Sequence, residues 1–159
     1  MPEHDTAQRA TSEKARPVFV PDFCTERQRP FVLAAAVLAS SMGFIDGTVV
    51  GIAIPAIRAS LGASLDQATW INNAYMVTLS ALILTGGAFG DRFGLARVFS
   101  LGVGLFLLTS LACALAPTPD WLIGARLAQG AGAALMIPGA LAMISRAYPR
   151  DIRGRAIGM

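Results

Sequence analysis

The sequence predicts an all-α membrane fold with four transmembrane helices, and three observations predict it. Charged residues make up 14% of the 159 residues and hydrophobic residues 54%, with a mean hydropathy of +0.56. Soluble domains carry about 25% charged residues. Four apolar stretches follow one another, each reaching or approaching the ~20 residues that cross ~30 Å of hydrocarbon. Basic residues gather on alternate links, as expected of a multi-pass chain under the positive-inside rule.

The first 30 residues are polar and basic, with Arg9, Lys14, Arg16, Arg27 and Arg29. Pro17, Pro21 and Pro30 are expected to break any helix there, which reads as a flexible cytoplasmic tail. The first apolar run, ~31–57, is far longer than the 7–15-residue core of a signal peptide, so it is expected to stay as a spanning helix. The second helix is placed at ~68–89, the third at ~98–116 and the fourth at ~121–144. With no water to bond the backbone, each must be helical.

Orientation follows from the links. The tail, the second link (Arg92, Arg97) and the segment after helix four (Arg146, Arg150, Arg153, Arg155) carry the positive charge. That side is assigned to the cytoplasm, in a cell (inner) membrane. Trp70 and Trp121 then lie at the outer ends of helices two and four, where an aromatic belt belongs.

Asp46 is the one ionisable residue in the first run, FVLAAAVLASSMGFIDGTVVGIAIPAI. A rise of 1.5 Å per residue puts it about 22 Å in from the cytoplasmic end, and Arg126 about 7–8 Å in from the outer end. The two opposite charges therefore reach a similar depth. Each costs roughly 2.5–3.5 kcal/mol at a helix centre, less off-centre. One reading is a proton or substrate relay, with Asp46 exchanging protons, Arg126 holding it when ionised, and Gln129 one turn along. The other is a structural ion pair that fixes packing.

The second link, GGAFGDRFGLARVF, carries Gly86, Gly90 and Gly94 at four-residue spacing, which permits close approach. Asp91 is expected near the start of helix three, accepting from its free backbone N–H groups. Gly43, Gly47 and Gly51 on helix one, and Gly130 and Gly132 on helix four, read as close-packing stripes. Pro138 is expected to bend helix four. Asn72 and Asn73 are placed near the outer end of helix two, lining a polar entrance or bonding locally.

Several classes are excluded. GAGAAL superficially resembles a dinucleotide loop, but no strand precedes it and it lies in a spanning run. Cys24 and Cys113 lack metal-ligand spacing, and His4 is a solvated tail residue. There is no Ser/His/Asp set and no carboxylate pair at matching depth. The chain is read as not an enzyme, with no cofactor, metal or nucleic-acid partner.

Three motifs resemble the major facilitator superfamily of secondary transporters. Gly87, Phe89, Gly90, Asp91, Arg92 and Gly94 occupy the places of its signature G-x-L-A-D-R-x-G-R-K, with Leu95 and Ala96 replacing the paired basic residues. Arg126, Gln129, Gly130, Gly132, Ala133 and Ala134 match R-x-x-Q-G-x-G-A-A, which the family ties to proton-coupled export. Asp46, Thr48, Val49, Val50, Ala53, Pro55 and Ile57 match D-x-T-I-V-N-V-A-L-P-x-I of the fourteen-helix drug:proton antiporter branch, with Gly51 in place of Asn. WINNAYM and RDIRGRAIGM resemble further stretches of that branch.

The resemblance covers residues ~31–159. It implies that the four helices form the first part of the N-terminal bundle of a twelve- or fourteen-helix transporter, so that this chain is an N-terminal portion. The implied function is proton-coupled efflux of drugs or other amphipathic organic compounds by alternating access. The implied partners are such a substrate, protons, the lipid bilayer and the remainder of the transporter. It also implies a conformational-switch role for the Gly87–Gly94 link. An importer or metabolite exporter of the same fold remains open, as does a truncated chain with no transport activity.

Overall fold

A computed structural model describes residues 27–147. The tail up to residue 26, with His4 and Cys24, and the segment 148–159, with Arg150, Arg153 and Arg155, lie outside the described residues. Four helices follow one another: α1 (Arg29–Leu61), α2 (Leu65–Phe93), α3 (Leu95–Ala114) and α4 (Pro119–Ala147). All four are long and apolar enough to cross a membrane. No strand occurs among the described residues.

The helix ends differ from those that hydropathy places, and local chemistry explains why. Pro30 does not stop α1 but lies in its first turn, where a missing N–H costs nothing. Gly62, at φ 65°, ends α1 in the left-handed conformation. Ser64 and Gln67 form a capping box: Ser64 Oγ accepts from the Gln67 N–H at 3.1 Å, and Gln67 Oε1 from the Ser64 N–H at 3.1 Å. That box starts α2 three residues before its apolar run. α3 begins directly after Gly94, whose φ of 97° makes the turn. Pro119 opens α4, and the Thr118 hydroxyl accepts from the Trp121 N–H at 3.3 Å. α4 continues unbroken through Pro138. At 1.5 Å per residue, the 33 residues of α1 reach about 50 Å, well beyond ~30 Å of hydrocarbon.

α4 is the hub and packs against each of the other three helices, most extensively against α2 and α3. Small residues allow this on two opposite sides. A Cβ added to Gly130 would lie 2.5 Å from the Tyr75 carbonyl oxygen on α2. One added to Gly132 would lie 2.8 Å from the Phe106 nitrogen on α3. In return, α2 presents Gly86 to the Ala134 carbonyl, and α3 presents Gly102 to Leu135 and Met136. Backbones without side chains between them gain dispersion contacts, which drive association where lipid removes the hydrophobic force.

The glycines of α1 behave otherwise. Gly43 meets only side-chain ends at 3.5 Å or more, Gly47 only the Met76 methyl at 3.7 Å, and Gly51 nothing within 4 Å. The packing stripe expected there is absent, and α1 is the least buried of the four helices. Outward faces are apolar: Phe44, Ile52 and Leu84 are all more than 80% exposed. That pattern suits surroundings of acyl chains.

Candidate functional site

The fourth helix sets Arg126 and Gln129 three residues apart, on one face. Both are 1% exposed, the most deeply buried polar side chains among the described residues. α1 brings Asp46 to them. Arg126 Nη1 donates to Asp46 Oδ2 in an ion pair. Gln129 Nε2 donates to Asp46 Oδ1 at 3.0 Å. Arg126 Nη1 also donates to Gln129 Oε1 at 2.8 Å. The three side chains close a triangle in which each carboxylate oxygen accepts one bond. The equal depth inferred from helical rise is direct contact in the structure.

Two further groups hold the guanidinium. Arg126 Nε donates to the Ile71 carbonyl at 3.3 Å. The Tyr75 ring lies beneath it, with Cζ 4.7 Å from the centroid, a cation–π contact. The Cys113 thiol donates to Gln129 Oε1 at 3.7 Å. Sequence reasoning missed all three. Tyr75 carried a usable signal, since a buried tyrosine seeks a polar partner. A backbone carbonyl and a lone thiol carry none.

Burial within the pair is unequal. The Asp46 side chain keeps 17% of its exposure and Arg126 only 2%. The arginine is fixed by three elements, while the acid sits at the edge, on the helix that packs least. The bonds from Arg126 and Gln129 to Asp46 are side-chain polar links between α1 and α4.

The second group of sequence-selected residues lies at the basic end, apart from this cluster. Asp91 does not cap α3. It is still inside α2, and its carboxylate accepts from Arg146 Nη2 on α4 at 3.0 Å. α2 outlasts its apolar run by a turn, so Asp91 cannot reach the free N–H groups beyond Gly94. α3 starts without a side-chain cap. The Asp91 and Arg146 side chains are 72% and 48% exposed. Arg92 stacks on Phe93, 5.8 Å from its centroid. Gly90 is buried against Leu95, and Gly87 faces Pro138. Asn72 and Asn73 are exposed and stand outside both groups.

At the opposite end, Gln67 Nε2 donates to Asp120 Oδ1 at 2.9 Å and links the starts of α2 and α4. Trp70 and Trp121 lie at this end, each about half exposed. No group of three or more metal-ligating side chains occurs among the described residues.

A family model described as Major Facilitator Superfamily matches residues 18–159. The methylenomycin A resistance protein of Streptomyces coelicolor is 44% identical over 119 residues, covering 74% of this chain and 25% of that protein. The tetracenomycin C resistance and export protein of Streptomyces glaucescens is 38% identical, covering 84% of this chain and 25% of its own length. The riboflavin transporter RibZ of Clostridioides difficile is 32% identical, covering 84% of this chain and 29% of its own length. The chain thus spans about a quarter of the length of the curated relatives it matches.

Proposed function

Because this chain belongs to the Major Facilitator Superfamily, we propose that it is the N-terminal part of a proton-driven exporter of amphipathic organic compounds. The observation that carries this reading is the buried Asp46–Arg126–Gln129 triangle. A charge set at bilayer depth is expensive to keep, and a device that binds and releases protons gives a reason to keep it. Relatives named for antibiotic resistance and export support the outward direction.

In this reading Asp46 is the proton acceptor. While it is ionised, Arg126 and Gln129 hold α1 against α4. When it is protonated, that hold weakens, and α1 is freer to shift as the two halves of the full transporter rock around a central site. Arg126 stays charged throughout, steadied by the Ile71 carbonyl and the Tyr75 ring. The exposed Asp91–Arg146 pair joins the basic ends of α2 and α4 and helps to hold one conformation. At about 0.2–1 kcal/mol, such a pair suits a contact that must break and re-form. The basic end, with the chain's N-terminus, faces the cytoplasm of the cell.

The test uses a full-length protein containing this segment, in everted vesicles with an imposed proton gradient and a fluorescent amphipathic dye. Asp46→Asn and Arg126→Ala are each expected to insert normally and to lose proton-driven dye accumulation. Wild-type accumulation in both variants would refute the assigned roles. A second reading, movement of a nutrient or endogenous metabolite by the same fold, is favoured by the relative named as a riboflavin transporter. Flux in the opposite direction in the same vesicles would select it.

A further inference from the structure

α4 carries Pro138 in its interior and continues through it as helix. A proline has no N–H, so the carbonyl four residues earlier, that of Ala134, loses its helical partner. α2 answers the loss with a glycine. A Cβ on Gly86 would stand 2.1 Å from the Ala134 oxygen. The bare Gly86 Cα therefore lies against that oxygen, and a Cα–H···O contact stands in for the missing bond. This support comes from outside α4. The helix itself is one bond short here, and such points are where helices bend.

The packing of α4 changes character at the same residue. Before Pro138, backbone lies on backbone. A Cβ on Gly130 would stand 2.5 Å from the Tyr75 oxygen, one on Gly132 2.8 Å from the Phe106 nitrogen, and one on Gly102 2.9 Å from the Met136 nitrogen. From Pro138 onward, side chains make the corresponding contacts. A Cβ on Gly139 would meet the Phe99 side chain at 3.4 Å, and one on Gly87 only the Pro138 ring, at 3.8 Å. Met143 and Ile144 carry this half into the core, and a methionine side chain adapts readily to new neighbours.

Beside this looser half lies a cavity of about 160 Å³. Gly86, Gly87 and Gly90 of α2, Leu95 of α3, and Gly139 and Ala142 of α4 line it. Packed interiors leave few voids larger than a water molecule. Asp91 also lines the cavity, and its exposed carboxylate accepts from Arg146 near the end of α4.

We infer that α4 is jointed: Pro138 is the hinge, residues 139–147 are the arm, and the cavity is the space the arm closes into when Asp91 and Arg146 part. The missing bond lets the helix bend, and side-chain packing lets the arm move. Gly87, Gly90 and Ala142 are small enough for the arm to come down on α2. Closure regains dispersion contacts that the void forfeits, which offsets the loss of an exposed ion pair. Arg126 and Gln129 lie before the hinge, so the Asp46 cluster stays in place while the basic end of α4 moves. The joint follows from backbone chemistry and packing, and it stands whether or not the protein exports.

Double electron–electron resonance tests this on a full-length protein containing the segment, with its native cysteines replaced, in phosphatidylcholine nanodiscs. Nitroxide labels on Leu108 of α3 and Ser145 of the arm report the moving half. Labels on Leu108 and Leu127 report α4 before the hinge. A swing of ~20° carries Ser145 by roughly 3–4 Å. The first pair is expected to show two distances separated by that amount, and the second pair one. Arg146→Gln opens the clasp and is expected to raise the ratio of swung to clasped component by roughly 1.5- to 5-fold. Pro138→Ala restores the N–H and Ala142→Leu fills the void. Each is expected to leave only the clasped distance.

A single Leu108–Ser145 distance in both the wild type and Arg146→Gln would overturn the joint. A second distance that survives Pro138→Ala or Ala142→Leu would do the same. So would an equal displacement at Leu127, since α4 would then be moving as one rod. Should one of the two blocking variants not fold, the other and Arg146→Gln still decide.

Discussion

The Arg126 guanidinium draws on three helices: Nη1 donates to Asp46 on α1 and to Gln129 on its own helix, Nε donates to the Ile71 carbonyl on α2, and the Tyr75 ring of α2 lies beneath it. Removing one member of a buried pair strands the other, at about 3–5 kcal/mol when burial is complete. The 17% exposure left to Asp46 lowers that figure here. Arg126→Gln is therefore expected to depress the melting midpoint in detergent more than the double change Asp46→Asn with Arg126→Gln, with a coupling of at least ~1 kcal/mol. Strictly additive losses would mean that the two groups do not sense each other. Asp46, Arg126 and Gln129 were legible in the sequence because polar side chains at bilayer depth are rare, and helical rise alone brings the two charges level. Tyr75 and Cys113 were not. A tyrosine or cysteine in an apolar run looks like packing until its neighbours from other helices are known.

At the scale of the helices, the glycines divide into two sets that the sequence does not distinguish. Gly86, Gly102 and Gly130 each have a neighbouring helix where a Cβ would stand, at 2.1, 2.9 and 2.5 Å from its nearest atom. Gly104 and Gly124 have nothing within 4 Å. Alanine at any of the first three is expected to destabilise by about 1–3 kcal/mol through forced separation of backbones. Alanine at Gly104 or Gly124 is expected to be neutral or to stabilise by up to ~1 kcal/mol through helix propensity. Thermal unfolding of the five variants in detergent checks this, and equal losses in both sets would refute the packing argument. Spacing revealed that glycines were present at helical intervals, but not which of them face a partner. The Gly43–Gly47–Gly51 stripe reads like the others, yet a Cβ added there meets only side-chain ends or open space. Helix ends were blurred for a related reason. Hydropathy sees the apolar run, while caps such as Ser64 with Gln67 add polar turns beyond it. Asp91 falls within such an added turn, which is why it meets Arg146 instead of α3.

The molecule as a whole has one basic end and one end bearing Trp70 and Trp121, and this polarity makes the orientation testable. In vesicles of known sidedness, a membrane-impermeant maleimide is expected to label Cys24 only from the cytoplasmic face. Ser64→Cys, in a Cys24→Ser background, is expected to react only from the opposite face. The reverse pattern would overturn the topology. The four-helix architecture could be read from composition and run length alone, because a bilayer leaves the backbone few choices. The order of packing could not, since nothing in an apolar run says which helix is central. That α4 is central bears on how the chain is made. Asp46 and Arg126 are 80 residues apart, which at a synthesis rate of ~5–20 residues per second is roughly 4–16 s of translation. Throughout that interval the first segment carries an acid without the partner it has in the folded bundle, a cost of roughly 2.5–3.5 kcal/mol at a helix centre that is offset only once the fourth segment has been made.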